Sequence, residues 1–137
     1  MTKNEISLIV KDLTKNAGSS RLTDIISYLN IKLKPLKGKT FYAKYKNKKY
    51  IFLDPDLDDQ LKDFAIAHEL GHAVLHDCEI GQSFTYRVKS QQVENEANYF
   101  AYTLLDLKID PIYNYTISQY ANLLSVSEDT IKYVVNP

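Results

Sequence analysis

Five consecutive residues, His68-Glu69-Leu70-Gly71-His72, carry the clearest chemistry in the chain. Leu61, Phe64 and Ala65 recur at helical spacing just before them, so the run reads as an amphipathic helix. Continuing at about 100° per residue puts His68 and His72 on one face, a turn apart. Two imidazoles so placed can hold one Zn²⁺. Glu69 lies beside them, suited to take a proton from water rather than to bind the ion. H-E-x-x-H arises by chance in roughly one chain in several hundred of this length. The bland alternative is a surface helix with two solvated histidines. Ala67, Gly71 and Ala73 argue against it, because small residues let other backbone come close to the histidine-bearing helix.

Catalytic zinc takes three protein ligands and an open position, so a third donor is needed. His76 is one turn further on, but three ligands from successive turns of one straight helix converge poorly on a tetrahedral ion. Cys78 sits where the pattern H-E-x-x-H-x-x-G-x-x-H has its third histidine, yet that pattern needs Gly at position 75 and this chain has Leu75. Residues 93–101 read as a second helix with Val93, Ala97, Phe100 and Leu104 in an apolar stripe. Glu94 and Glu96 flank that stripe on opposite edges, and periodicity does not choose between them. The usual fate of helix glutamates, a solvated acidic edge, is the competing reading for both.

The H-E-L-G-H helix followed by Glu94-x-Glu96-Ala97-Asn98-x-Phe100-Ala101 resembles the ImmA/IrrE family of zinc metallopeptidases, over roughly residues 30–135. The resemblance implies that the glutamate of E-A-N-x-F-A, Glu96 here, is the third ligand beside His68 and His72, with Glu69 as general base and one Zn²⁺ per chain. It implies a zincin-like fold and a substrate, a helix-turn-helix repressor guarding a phage or mobile genetic element. The chain departs from the pattern in having Leu104-Leu105-Asp106-Leu107 where relatives often carry Leu-Leu-Met-Pro.

Among the elements around these groups, residues 5–15 and 21–30 read as helices. Gly18 is a stop for the first, and Ser19 or Ser20 a cap for the second. Residues 31–34 alternate like a strand that Pro35 and Gly38 break or keep at a sheet edge. Residues 40–45 and 49–53, joined by Lys46-Asn47-Lys48, read as a hairpin, an edge able to bind extended peptide by strand addition. Asp56 or Asp58 is placed to cap the histidine-bearing helix, and Asp77, Cys78 and Gly81 to end it. Residues 83–88 are a strand or a loop over the site, and Tyr42 and Tyr86 are candidates to stabilise an oxyanion. Thr116 and Gln119 form a capping box opening a helix to residue 124, and Ser127 caps a last helix. That pair resembles a helix-turn-helix, but the link lacks Gly and the last helix offers only Lys132 to a phosphate backbone, so it reads as packing.

A chain of 137 residues with 45% hydrophobic and 25% charged content fits one globular domain, residues 1–137. No run of 18 apolar residues suggests a membrane span. The single cysteine fits a reducing compartment, the bacterial cytosol or a phage-infected host. Net charge is zero, but residues 1–50 hold 12 Lys/Arg against 3 Asp/Glu, and the remainder 5 against 14. Attraction between the halves within one fold is the preferred explanation, and nucleic acid is not expected as a direct partner. The expected architecture is therefore α+β: a small antiparallel sheet packed on an active-site helix pair, with a C-terminal helical pair at about residues 116–135. The expected activity is a zinc metalloendopeptidase. The alternatives are an antirepressor acting by contact alone and a DNA-binding regulator.

Overall fold

The computed structural model describes residues 1–76 and 90–136. The sites expected at Cys78 and Tyr86, the helix-ending Asp77 and Gly81, and the strand or loop at 83–88 lie outside those residues. The described chain runs α1 (Lys3–Ala17), α2 (Leu22–Tyr28), β1 (Ile31–Pro35), β2 (Phe41–Tyr45), β3 (Lys48–Leu53), α3 (Asp59–Leu75), α4 (Gln91–Leu104), a 3-10 turn (Pro111–Tyr113), α5 (Ile117–Leu124) and α6 (Glu128–Val135). The fold is α+β, as the sequence implies.

Local chemistry explains most boundaries. Thr2 and Glu5 form a capping box that starts α1, and Gly18 ends it at φ 72°, in the left-handed region where glycine has no Cβ penalty. The α2 cap is Arg21, without a side-chain bond. Ser19 stands two residues before it, accepting from Arg21 N and donating to Asp24. The hairpin turns on Lys46 and Asn47 at φ 50° and 63°, the twist that two-residue turns between antiparallel strands require. Ser90 caps α4, the Thr116–Gln119 box opens α5, and Ser127 caps α6. Asp58 occupies the α3 cap position but its carboxylate bonds no backbone N–H there. Helix α4 ends through Leu105 into Asp106 at φ 54°, which supplies the exit without a proline.

The sheet is mixed rather than wholly antiparallel. Its order is β1-β3-β2, with β2 antiparallel and β1 parallel to β3. The link from β1 crosses to the far edge, and the hairpin brings β3 back into the middle. Pro35 is tolerated because β1 is an edge strand. Ile31 and Ile51 from the sheet join Ile6, Val10, Leu13 and Ile25 from the first helices. Ala67, Leu70, Phe100, Ala101 and Leu104 from α3 and α4 complete one core. A smaller cluster, Tyr120, Ala121 and Ile131, holds α5 to α6.

Helices α3 and α4 pack most intimately. A Cβ on Gly71 would stand 3.1 Å from both Ala97 Cα and Ala97 O, and 3.2 Å from Phe100 Cβ. The absence of a side chain at Gly71, with Ala97 opposite, brings the two backbones close enough for short side chains on either helix to meet. Lys32, Lys34, Lys37, Lys39, Lys46 and Lys48 pair with no carboxylate among the described residues. The attraction expected between the basic and acidic halves is therefore not expressed as ion pairs of these lysines.

Candidate metal centre

Helix α3 carries His68, Glu69 and His72 and is capped at its C-terminal end by His76, and α4 carries Glu94, Glu96 and Asn98. His68 Nε2 and His72 Nε2 are 3.1 Å apart. The carboxylate of Glu94 spans both, Oε2 at 3.1 Å from His68 Nε2 and Oε1 at 3.0 Å from His72 Nε2. These three residues form a group able to hold a metal ion among the described residues. His68 Nδ1 faces Asn98 Oδ1 at 2.6 Å. An amide oxygen only accepts, so Nδ1 carries a hydrogen, and when the ring is neutral Nε2 is left as a lone pair facing the cluster.

The cluster also attracts positive charge. Burial pushes the His68 pKa down, but hydrogen bonding to Glu94 and the charges of Glu69 and Glu94 outweigh it, leaving a net rise. Hydrogen bonds from His68 and His72 hold the Glu94 carboxyl far below the usual carboxylate range, against a smaller opposing effect of burial. Two imidazole nitrogens and a carboxylate cannot crowd this closely without protons or a cation among them. The donor set of two imidazoles and one carboxylate suits Zn²⁺.

Of the residues expected to hold metal, His68 and His72 come together and Glu96 does not join them. Glu96 Oε1 lies 2.8 Å from His76 Nε2, and its Oε2 lies 2.7 Å from the Met1 amino group. Helical phase is the reason. Glu94 and Glu96 are about 200° apart around α4. Asn98, one turn beyond Glu94, shares its side of the helix. That pairing was a readable signal, since a ligating histidine needs an acceptor behind it. His76 is also turned away from the cluster: its Nδ1 meets His72 Nδ1 at 3.1 Å. Burial raises the Glu96 carboxyl, but hydrogen bonds from the Met1 ammonium and His76 more than reverse this, so it sits below its ordinary value.

Glu69 is 7% exposed. Its Oε1 accepts the backbone N–H of Tyr42 at 2.8 Å, and its Oε2 stands 3.9 Å from His68 Nε2. Strand β2 thus brings the main-chain N–H of Tyr42 to the site. A cavity of about 490 Å³ opens beside His68 and Glu69, walled by Leu57, Leu61, Phe64, Ala65 and Val126. Among the described residues no helix is long and apolar enough to cross a membrane.

Two comparisons bear on this arrangement. A protein of Bacillus phage phi105 named "uncharacterized immunity region protein 2" is 32% identical over 125 residues, which take in 85% of this chain and 74% of that protein. The profile of the Peptidase_M78 family, described as the IrrE N-terminal-like domain, matches residues 25–133, a span that takes in the sheet, both site-bearing helices and most of the C-terminal pair. With most of its length matched, and a cluster suited to a metal ion where α3 meets α4, the chain belongs to the Peptidase_M78 family of IrrE N-terminal-like domains.

Proposed function

We propose that the protein is a zinc-dependent metalloendopeptidase of the cytosol, with Zn²⁺ held by His68, His72 and Glu94 and with Glu69 as general base. The observation that carries this reading is the convergence of the two Nε2 atoms and the Glu94 carboxylate within about 3 Å of one another, with Glu69 beside them. Glu94 replaces Glu96 as the proposed third ligand. When bound, the ion would supply Lewis acidity, making water more acidic and polarising a peptide carbonyl.

The protein's own groups supply the rest. Asn98 fixes the His68 ring with its lone pair forward. The Tyr42 N–H holds one oxygen of the Glu69 carboxylate, and the carboxylate takes a proton from the attacking water and hands it to the leaving amine. The apolar cavity beside Glu69 fits a hydrophobic side chain of the substrate next to the scissile bond. The substrate we propose is a helix-turn-helix repressor of a phage or mobile element. The immunity-region name of the phage relative supports it.

The test is incubation of the zinc-loaded protein with any helix-turn-helix repressor encoded beside it. Wild type should cut the repressor, and Glu69→Gln, which keeps shape but removes the base, should cut it about 10²-fold or more slowly. Relief of repression by both forms with the repressor intact would overturn the protease reading in favour of inactivation by contact.

A further inference from the structure

The buried carboxylate of Glu96 is left over by the proposed zinc site, and its surroundings are too ordered for a passive filler. Its Oε1 meets His76 Nε2 at 2.8 Å. The other nitrogen of that ring, Nδ1, meets His72 Nδ1 at 3.1 Å. The line ends on the back of His72, whose front nitrogen, Nε2, faces His68 and Glu94.

Placing the hydrogens along this line leaves one arrangement for two neutral rings. An ionised carboxylate can only accept, so the His76 hydrogen sits on Nε2. His76 Nδ1 is then a lone pair and must receive a hydrogen from His72 Nδ1. His72 has thereby spent its one ring hydrogen at the back, and its Nε2 faces the cluster unprotonated. His68 reaches the same state through the Asn98 amide. Helix α4 thus orients both imidazoles of α3 from behind, one through a neutral carbonyl and the other through a second imidazole backed by a charge.

We infer that His76 and Glu96 are positioning residues that set the tautomer and ring orientation of His72 through two successive hydrogen bonds, making its opposite nitrogen a better metal donor. The inference rests on the proposed zinc site. It also separates the two glutamates by role: Glu94 touches the ion and Glu96 acts on it only through His76 and His72.

The test uses the full chain and zinc ion alone, with affinity read by competition against a chelator. His76→Phe keeps a ring but removes both nitrogens, and Glu96→Gln keeps shape but removes the charge. Each should weaken zinc binding roughly 10- to 100-fold, the usual effect of a group behind a ligand. The double variant should be no weaker than the poorer single one, because both act through one line. Losses that multiply would overturn the inference, since Glu96 would then act independently of His76. Zinc uptake by wild type with unchanged affinity in both single variants would also overturn it, while leaving the metal site standing. Wild type that takes up no zinc overturns the metal site and the inference together.

A readout that needs no variant guards against poor folding. In the zinc-loaded, ¹⁵N-labelled wild type, His72 Nδ1 and His76 Nδ1 should show scalar coupling across their hydrogen bond. The shared hydrogen should sit on His72, and the His76 hydrogen on Nε2. A hydrogen on His76 Nδ1, or no coupling between the rings, overturns the inference.

Discussion

Glu94 and Glu96 stand two residues apart on one helix and face opposite sides of the same histidine. The Glu94 side chain is 36% exposed and spans the Nε2 atoms of His68 and His72. The Glu96 side chain is 6% exposed and reaches His72 by way of His76. Burial alone would have nominated Glu96 as the ligand, since a charge is rarely buried without a task. The proposed roles divide the tasks differently. A hydrolytic metal must keep an open position for water and substrate, so its carboxylate belongs at the mouth of the site, where some solvent reaches it. A carboxylate that only fixes a ring from behind works best where water cannot compete for its hydrogen bond.

Replacing Glu94 should break that contrast most severely. Glu94→Gln removes one of three proposed ligands and should lower zinc affinity by more than roughly 100-fold, beyond what groups behind a ligand are worth, as measured by chelator competition. A smaller loss than Glu96→Gln produces would reverse the two roles. Next in size is Asn98→Ala, which strips the acceptor from His68 Nδ1 and frees that ring to hold its hydrogen on Nε2. An affinity loss of about 10-fold is expected, with the fold intact by circular dichroism. The smallest effect falls on Gly71→Ala. Helix propensity favours Ala by about 1 kcal/mol. The added methyl, however, meets Ala97 backbone and Phe100 at 3.1–3.2 Å, and overpacking costs about 1–3 kcal/mol. A net destabilisation of about 1 kcal/mol should appear in urea unfolding, with weaker zinc binding, because α4 carries Glu94 away from α3. A stabilised variant with unchanged zinc affinity would show that the close approach at Gly71 is not what sets the site.

Residues whose structure is decided within a few positions of chain were legible in the sequence. The helix carrying His68 and His72, the Thr116–Gln119 capping box, Gly18 and the hairpin turn all follow from local periodicity and turn chemistry. Gly71 was read correctly as a point of close approach. What local pattern could not supply was anything decided by the approach of distant elements. Parallel pairing of β1 with β3 depends on where a short link crosses the sheet. The contact between Tyr42 N–H and Glu69 depends on how the hairpin docks against α3. The choice between Glu94 and Glu96 depends on the rotation of α4 about its own axis relative to α3, and an apolar stripe with a glutamate on each edge fits either rotation. The Glu94–Asn98 pair, both polar and one turn apart, marks the side of α4 that faces His68.

The central claim is that zinc is held by His68, His72 and Glu94. A crystal of the zinc-loaded protein, with diffraction recorded on both sides of the zinc absorption edge, tests it most directly. One zinc per chain should appear where α3 meets α4. It should bond both Nε2 atoms at about 2.0–2.1 Å and a Glu94 oxygen at about 2.0–2.2 Å, with Glu96 still hydrogen-bonded to His76. Zinc bonded to Glu96 or His76 in place of Glu94, or no zinc in this site, would contradict the account.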